Sequence, residues 1–78
     1  MVEHVPEDSF LHSLDVFGVR DGRRVWRSGT CRNTRYYPWD SLHGEVEVFN
    51  SRGRHLGAVD AITGKQTKDL GLGRRLRI

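Results

Sequence analysis

The chain has 78 residues, enough for one small domain and too few for two, and it is basic, with a formal net charge of +3. No apolar run approaches the length of a membrane-spanning helix, and we expect neither a membrane span nor a signal peptide in this chain. Cys31 is the single cysteine, which excludes an intramolecular disulfide and a multi-cysteine zinc site.

The first element predicted in chain order is a short N-terminal helix. Pro6-Glu7-Asp8 suits a helix start, and Phe10, Leu11, Leu14 and Phe17 follow at helical spacing up to Gly18. The stretch from Leu14 to Val19 also fits a strand, so the boundary between helix and sheet stays open.

Beyond Gly18 the pattern predicts short strands. These are Arg24–Arg27, Arg35–Tyr37 ended by Pro38, Glu45–Phe49, its hairpin partner His55–Val59, and a closing strand Arg74–Ile78. Short connections favour an antiparallel sheet. We therefore predict a small α+β single domain, mainly a twisted antiparallel sheet with a short N-terminal helix, made of an acidic segment (1–15) and a basic core (16–78).

The distribution of charge indicates a partner. Residues 1–15 hold four acidic residues and no Lys or Arg, whereas residues 16–78 hold 13 basic and six acidic residues. Eleven of the basic residues are Arg, whose guanidinium group binds phosphate through paired donors and stacks on bases. This pattern suggests nucleic acid as the partner. The alternative is a solvated basic surface with a flexible acidic tail.

The strand Glu45–Phe49 and the residues before it carry the candidate chemistry. Alternation places His43, Glu45 and Glu47 on one face, and Val46 and Val48 on the core face. The polar face is then exposed or lines a cleft. In a fully extended chain the Cα atoms of His43 and Glu47 lie roughly 13 Å apart, too far for a direct hydrogen bond. An ordinary solvated strand face is the alternative interpretation.

A carboxylate, an imidazole and several Arg suit RNA cleavage by internal transesterification. One group removes the proton of the 2′-hydroxyl, another protonates the leaving 5′-oxygen, and a cation stabilises the charge on phosphorus. A metal site formed by His43 and His55 with Asp40 or Glu47 lacks any HxH, HExxH or Cys pair. We therefore predict no metal and no other cofactor.

The run from Tyr37 to Glu47, YPWDSLHGEVE, resembles the cytotoxic domain of the ribosomal-RNase colicins and cloacin. The resemblance continues through Arg54–Gly57, Asp60 and Thr63–Gln66 into the basic C-terminal tail. It implies a strongly twisted antiparallel sheet with a short N-terminal helix. It also implies a toxin that cuts small-subunit (16S) ribosomal RNA at the decoding centre, blocks translation, and is held inactive by an acidic immunity protein.

The resemblance also assigns roles to residues. The catalytic residues fall on Asp40, His43, Glu47 and Arg74, with Glu47 as general base, His43 as general acid, Asp40 as its partner and Arg74 as phosphate clamp. The base and acid assignments can be exchanged, and Arg75 is an alternative to Arg74. Further family positions fall on Tyr37 and His55, which are candidate substrate contacts, and we add Lys65, Lys68 and Arg75 as candidate substrate contacts. The chain departs from the family at Leu42, at Phe49 and at Gly71-Leu72-Gly73.

Two other functions remain open. One is a toxin ribonuclease that cuts another RNA, such as transfer RNA, and the other is a non-catalytic RNA-binding β-domain. We expect a monomer that acts in the bacterial cytoplasm, either excised from a larger secreted toxin or encoded alone. The immunity protein is expected to contact exposed arginines rather than plug the cleft. The candidates are Arg20, Arg23, Arg24, Arg27, Arg52 and Arg54.

Overall fold

The computed structural model describes residues 4–71 and 73–77. This part of the chain forms one six-stranded antiparallel sheet in which every strand pairs with its neighbours in sequence. The strands are β1 (Asp15–Arg20), β2 (Arg23–Ser28), β3 (Arg35–Asp40), β4 (Glu45–Phe49), β5 (His55–Asp60) and β6 (Gln66–Asp69). Short 3-10 turns lie at Phe10–Ser13 and Cys31–Asn33. The predicted antiparallel sheet is therefore confirmed.

The predicted N-terminal helix is a single 3-10 turn. The Ser9 hydroxyl caps the turn by accepting a hydrogen bond from the backbone N–H of Leu11. At Leu14 the backbone is already extended, and β1 follows because it pairs with β2, with Val16 opposite Trp26. The strand interpretation of this stretch is thus the one the structure adopts. No helix among the described residues has the length and apolar character needed to cross a membrane.

Two further strand predictions need correction. β3 does not end at Pro38, because Trp39 and Asp40 pair with Val46 and Glu45 of β4 and keep the strand extended. The predicted closing strand is one isolated bridge between Arg54 and Arg75, and Ile78 lies outside the described residues. The sixth strand is instead Gln66–Asp69, whose residues are all exposed. An edge strand without buried side chains carries no alternation of apolar residues that a sequence reading could detect.

Both faces of the sheet carry an apolar cluster. On one face, which we call the Trp26 face, Leu11 of the N-terminal turn packs with Trp26, Trp39 and Val46. On the other, which we call the Glu47 face, the cluster is Val25, Phe49 and Leu76, flanked by Phe17 and Tyr36. The prediction that the valines of β4 face a core is confirmed. The opposite face of β4 is also buried, because the C-terminal segment (73–77) covers part of it.

Gly53 allows this segment to approach the sheet. The backbone N–H of Leu76 donates to the Gly53 carbonyl at 2.8 Å. Gly53 has a φ of +79°, and a Cβ there would collide with the carbonyl oxygen of Leu76. Leu76 is consequently buried against the sheet, and Arg74, two residues earlier, is held beside β4 and β5.

Candidate active site

A cleft of about 210 Å³ on the Glu47 face brings the four predicted catalytic residues together. Its walls include Asp40, His43, Glu47 and Arg74. They come from the end of β3, the β3–β4 turn, the middle of β4 and the C-terminal segment. An adjoining cleft of about 370 Å³ shares Glu47 and Arg74 and extends to Arg20.

Asp40 and His43 are joined by a tight turn rather than by extended backbone. The N–H of Gly44 donates to the Asp40 carbonyl at 2.8 Å, and β4 begins only at Glu45. Asp40 Oδ1 accepts the backbone N–H groups of Leu42 and His43. Asp40 Oδ2 lies 2.8 Å from His43 Nδ1. His43 is therefore not in the strand as predicted, because its backbone belongs to the turn, but its side chain still lines the same cleft as Glu45 and Glu47.

The carboxylate of Asp40 fixes the imidazole of His43. Burial raises the pKa of Asp40, but the hydrogen bonds from His43 and the positive charge of Arg23 outweigh it, and the pKa lies below its ordinary value. An ionised carboxylate only accepts hydrogen bonds, so His43 Nδ1 carries a hydrogen. The His43 side chain is 55% exposed, which leaves Nε2 as the nitrogen available to a ligand.

Glu47 is a buried carboxylate held between two arginines. Its Oε2 accepts a hydrogen bond of 2.6 Å from Arg23 Nη1, and its Oε1 forms an ion pair with Arg74 Nη2. The Glu47 side chain is 7% exposed, whereas those of Arg23 and Arg74 are 41% and 50% exposed. Burying a carboxylate is costly unless it is paired, and these guanidinium groups supply the pairing. Each keeps further donors that a ligand can reach.

His55 closes the inner side of Glu47. Its Nδ1 accepts the backbone N–H of Gly71 at 2.7 Å, so in the neutral ring the hydrogen is on Nε2, which lies 3.5 Å from Glu47 Oε1. Burial and the charge of Arg74 lower the pKa of His55, and the opposing effect of Glu47 is smaller. His55 is therefore neutral at neutral pH and positions Glu47, Arg74 and the C-terminal segment.

The structure places the other predicted substrate contacts in different locations. Lys68 lines the smaller cleft, where its Nζ lies 3.5 Å from Glu45 Oε2, and Arg75 lines the adjoining one. Tyr37 lies on the Trp26 face, with its hydroxyl 3.0 Å from Ser28 Oγ and its ring against Phe10. Lys65 is an exposed residue before β6 and lines neither cleft. The structure thus groups His55, Lys68 and Arg75 with Glu47, but neither Tyr37 nor Lys65.

Sequence reasoning missed two residues of this cleft. The sequence indicates Arg23 only as an inhibitor contact, yet it binds Glu47, 24 residues away. Only the register of β2, β3 and β4 brings them together. At Gly71 a Cβ would lie 2.8 Å from Arg74 Cδ and 3.2 Å from His55 Nδ1. In the sequence, the departure from the family at Gly71 was the feature that could have indicated its role. The structure shows that the absence of a Cβ at this position makes room for both side chains.

The charged and titratable side chains in the cleft are carboxylates, imidazoles, guanidinium groups and one ammonium group. Within residues 4–71 and 73–77, no group of three or more His, Cys, Asp or Glu side chains is arranged to hold a metal ion. The chemistry that these side chains can perform themselves is proton transfer by Glu47 and His43 and charge stabilisation by Arg23 and Arg74.

The fold and the cleft define a small antiparallel β-domain with acid–base groups and cations on one face of the sheet. The family model described as Cytotoxic matches residues 16–77. The chain belongs to this family. The match confirms the resemblance to the toxin domains of the colicins and cloacin that the sequence motifs indicated.

Two curated relatives are similar over part of the chain. Cloacin from Escherichia coli is 53% identical over 38 residues, which is 47% of this chain. Colicin E3 from Escherichia coli is 45% identical over 47 residues, which is 59% of this chain. The matched regions are 7% and 8% of the lengths of those proteins, so the similarity concerns a small part of each.

Proposed function

We propose that this domain is a toxin ribonuclease that cuts RNA by internal transesterification. The observation that carries the proposal is the cleft of about 210 Å³ on the Glu47 face. There the buried carboxylate of Glu47 contacts two arginines and shares the cleft with the imidazole of His43, which Asp40 holds. Membership of the Cytotoxic family supports the same conclusion.

In the proposed first step, the scissile phosphate binds to the free donors of Arg23 and Arg74. Each guanidinium has five N–H donors, so it can hold phosphate oxygens while it still contacts Glu47. Redistribution of these hydrogen bonds toward the phosphate frees a lone pair of Glu47 Oε1 or Oε2. Glu47 then takes the proton of the 2′-hydroxyl as that oxygen attacks phosphorus.

In the proposed second step, the bond between phosphorus and the 5′-oxygen breaks. His43 donates the proton on Nε2 to the departing 5′-oxygen, while Asp40 stabilises the imidazolium through Nδ1. Arg23 and Arg74 stabilise the negative charge on the equatorial phosphate oxygens. The products are a 2′,3′-cyclic phosphate and a 5′-hydroxyl. The nucleophile comes from RNA itself, so this step needs no metal ion.

We further propose that the target is small-subunit ribosomal RNA at the decoding centre, reached in the bacterial cytoplasm. The support is the family match together with the clustering of Asp40, His43, Glu47 and Arg74, the residues to which the resemblance assigns catalysis. An acidic immunity protein is the proposed inhibitor, because the segment 16–78 carries a large excess of Arg over acidic residues.

The test compares intact bacterial ribosomes, naked ribosomal RNA and naked transfer RNA, each with and without EDTA. We expect one small-subunit fragment with cyclic-phosphate and 5′-hydroxyl ends from ribosomes, unchanged by EDTA, and none with the Glu47→Gln variant. Cleavage of transfer RNA alone would contradict ribosomal RNA as the target and identify transfer RNA instead. Loss of cleavage with EDTA would overturn the metal-independent step. RNA binding without any cleavage would contradict the ribonuclease proposal.

A further inference from the structure

We propose that Phe17, Arg20, Arg27 and Tyr36 form a second RNA-binding site, a platform that holds the single strand next to the scissile phosphate. This inference rests on the proposed function and adds a substrate subsite to it. It concerns the β1–β3 part of the Glu47 face, which the predicted catalytic residues do not occupy.

The sheet register places these residues on the same face as Glu47. Tyr36 lies opposite Phe49, which follows Glu47 on β4 by two residues, and Arg27 lies opposite Tyr36. The Phe17 ring meets the Tyr36 ring edge to face, with centroids 4.9 Å apart. Both rings are half-buried, so the cluster with Val25 and Phe49 anchors them while part of each ring stays accessible.

Two guanidinium groups lie over the Phe17 ring of this pair. The Cζ atoms of Arg20 and Arg27 are 4.7 Å and 5.5 Å from the centroid of the Phe17 ring. Arg20 Nη1 also donates to the Val19 carbonyl at 2.8 Å. Within the described part of the chain neither guanidinium forms a salt bridge with a carboxylate. Stacking on Phe17 therefore orients two cations whose charges are left for a ligand.

The platform is continuous with the catalytic cleft. Arg20 lines the adjoining cleft of about 370 Å³ together with Glu47 and Arg74. A phosphate held by Arg74 beside Glu47 thus has the next cations of the same face, Arg20 and then Arg27, along one path. An RNA strand that crosses the site can continue over β2 and β1 along these arginines. The acidic residues beside this path are Asp21, which lines the adjoining cleft, and Asp15, which lies opposite Arg27.

Half-exposed rings beside guanidinium planes favour RNA over an acidic protein surface. Single-stranded nucleic acid offers bases that stack on rings and guanidinium groups, and phosphates that bind the charges, at regular intervals. An acidic protein surface would pair its carboxylates with the arginine charges and leave the aromatic rings unused. The class of ligand is therefore a flexible RNA strand, recognised through stacking and phosphate contacts.

The binding test uses the Glu47→Gln protein, so that RNA is not cut, and a labelled single-stranded RNA of about 12 nucleotides followed by fluorescence anisotropy. The double change Arg20→Gln, Arg27→Gln should weaken RNA binding at least tenfold and reduce the salt slope by about 1.4, since each single-strand phosphate contact contributes about 0.7. Phe17→Leu, which retains an apolar side chain, should weaken binding by roughly fivefold through lost stacking.

The matched control is Arg24→Gln, Arg35→Gln, which removes the same charge from the other face of the sheet. Arg24 lies over Trp26, and Arg35 lines a cleft with Val48 and Val59. We expect this control to weaken RNA binding less than about threefold. Equal losses in both double variants would overturn the platform. The platform would also be overturned if the Arg20→Gln, Arg27→Gln protein bound RNA normally but lost binding to labelled poly-L-glutamate. That result would assign the surface to an acidic protein.

Cleavage assays separate this inference from the proposed function. In the chain that retains Glu47, the platform double variant should raise KM about tenfold and leave kcat within about threefold. Normal cleavage kinetics in that variant would overturn the platform and leave the ribonuclease standing. Absence of cleavage by the unchanged chain, with platform-dependent RNA binding, would overturn the ribonuclease and leave the platform standing.

Discussion

At the scale of single residues, the environments of Glu45 and Glu47 differ although both project from the same face of β4. Glu47 is almost fully buried and contacts Arg23, Arg74 and His55. Glu45 is 24% exposed and contacts Lys68 and Thr67 near the sheet edge. Of these two glutamates, Glu47 lines both clefts, whereas Glu45 lines only the smaller one.

Glu47→Gln should therefore reduce RNA cleavage by roughly two orders of magnitude or more, the usual size of an acid–base contribution, and His43→Ala should do the same. Glu45→Gln is the matched control and should reduce the rate by less than about fivefold. Single-turnover cleavage rates on the same RNA give the comparison. An essential Glu45 with a dispensable Glu47 would show that the assignment is shifted by two residues.

His55 makes the stability of the fold dependent on pH. Its pKa in the folded protein is lowered from the ordinary value of 6.5. Below pH 6.5 His55 binds a proton in the unfolded chain but stays neutral in the folded protein. Its contribution to the free energy of unfolding is therefore fully present above pH 6.5 and is lost as the pH falls toward the folded pKa. The lowered pKa values of Asp40 and Asp60 act in a more acidic range, because their stabilisation is lost only below the ordinary value of 3.8.

Urea unfolding measures this effect. Between about pH 7 and about pH 5 the free energy of unfolding should fall more steeply for the unchanged chain than for His55→Gln, which cannot titrate. The His55→Gln protein is expected to be less stable at the higher pH, and the difference should narrow toward the lower one. A difference that stays constant or widens on acidification would contradict the neutral, buried state of His55.

At the scale of elements, the C-terminal segment decides whether Arg74 reaches Glu47. Gly53 is the point of closest approach, where any Cβ would collide with the Leu76 carbonyl. Gly22 in the β1–β2 turn has nearly the same φ, +77°, but nothing lies within 4 Å of a Cβ there. An added methyl group would strain the backbone equally at both positions, but only at Gly53 would it collide with a neighbouring atom.

Gly53→Ala should therefore lower the melting temperature more than Gly22→Ala, whose cost is the strain of a positive φ, about 1 kcal/mol. Gly53→Ala should also reduce cleavage at least tenfold, because displacement of the segment moves Arg74 away from the reacting phosphate. Thermal unfolding and cleavage rates are measured on both variants. Equal effects would show that the segment adapts to the additional methyl group.

The N-terminal turn is an integral part of the fold. Leu11 is fully buried against Trp26 and Trp39, and the N–H of Phe10 donates to the Ala61 carbonyl at 3.3 Å. Leu11→Ala should cost about 2–5 kcal/mol of unfolding free energy, while Leu42→Ala, at a residue that is 66% exposed, should cost less than about 0.5 kcal/mol. Denaturant titration compares the two. Similar small losses would show that the turn is not part of the core.

At the scale of the whole molecule, residues 4–14 of the acidic segment and the candidate site are on opposite sides of the sheet, whereas Asp15 lies in β1 opposite Arg27. The described part of residues 1–15 packs over the Trp26 face through Val5, Phe10 and Leu11. Glu7 and Asp8 are exposed and form no salt bridge within the described residues. Glu7 and Asp8 therefore do not shield the arginines of the Glu47 face, and Asp15 is the described acidic residue of the segment that lies beside one of them, Arg27.

Neutralising these acids should leave the activity unchanged. The double variant Glu7→Gln, Asp8→Asn keeps Leu11 in place, whereas deletion of residues 1–15 would remove part of the core. We expect kcat/KM for RNA within about twofold of the unchanged chain at about 200 mM salt, where long-range charge effects are screened. An increase of tenfold or more would show self-inhibition by the acidic segment and remove the reason to propose a separate inhibitor.

Local pattern determined much of this protein. Alternation located β4, the turn residues after it placed β5 as its hairpin partner, and the run from Tyr37 to Glu47 by itself supplied Asp40, His43 and Glu47 as candidates. These features depend on neighbours in sequence, and hence on side-chain period and turn chemistry. The hydrogen bond between Asp40 and His43 is also local, because its two residues are three positions apart in one turn.

Tertiary structure decided everything that depends on distant residues. Pairing of β2 with β3 and of β3 with β4 brought Arg23 to Glu47, and packing of Leu76 brought Arg74 there instead of Arg75. The N-terminal segment became a turn and a strand because pairing with β2 satisfies its backbone hydrogen bonds, an outcome that propensity alone does not decide. Burial of both faces of β4 likewise follows from a chain segment far away in sequence, so no periodicity within β4 could reveal it.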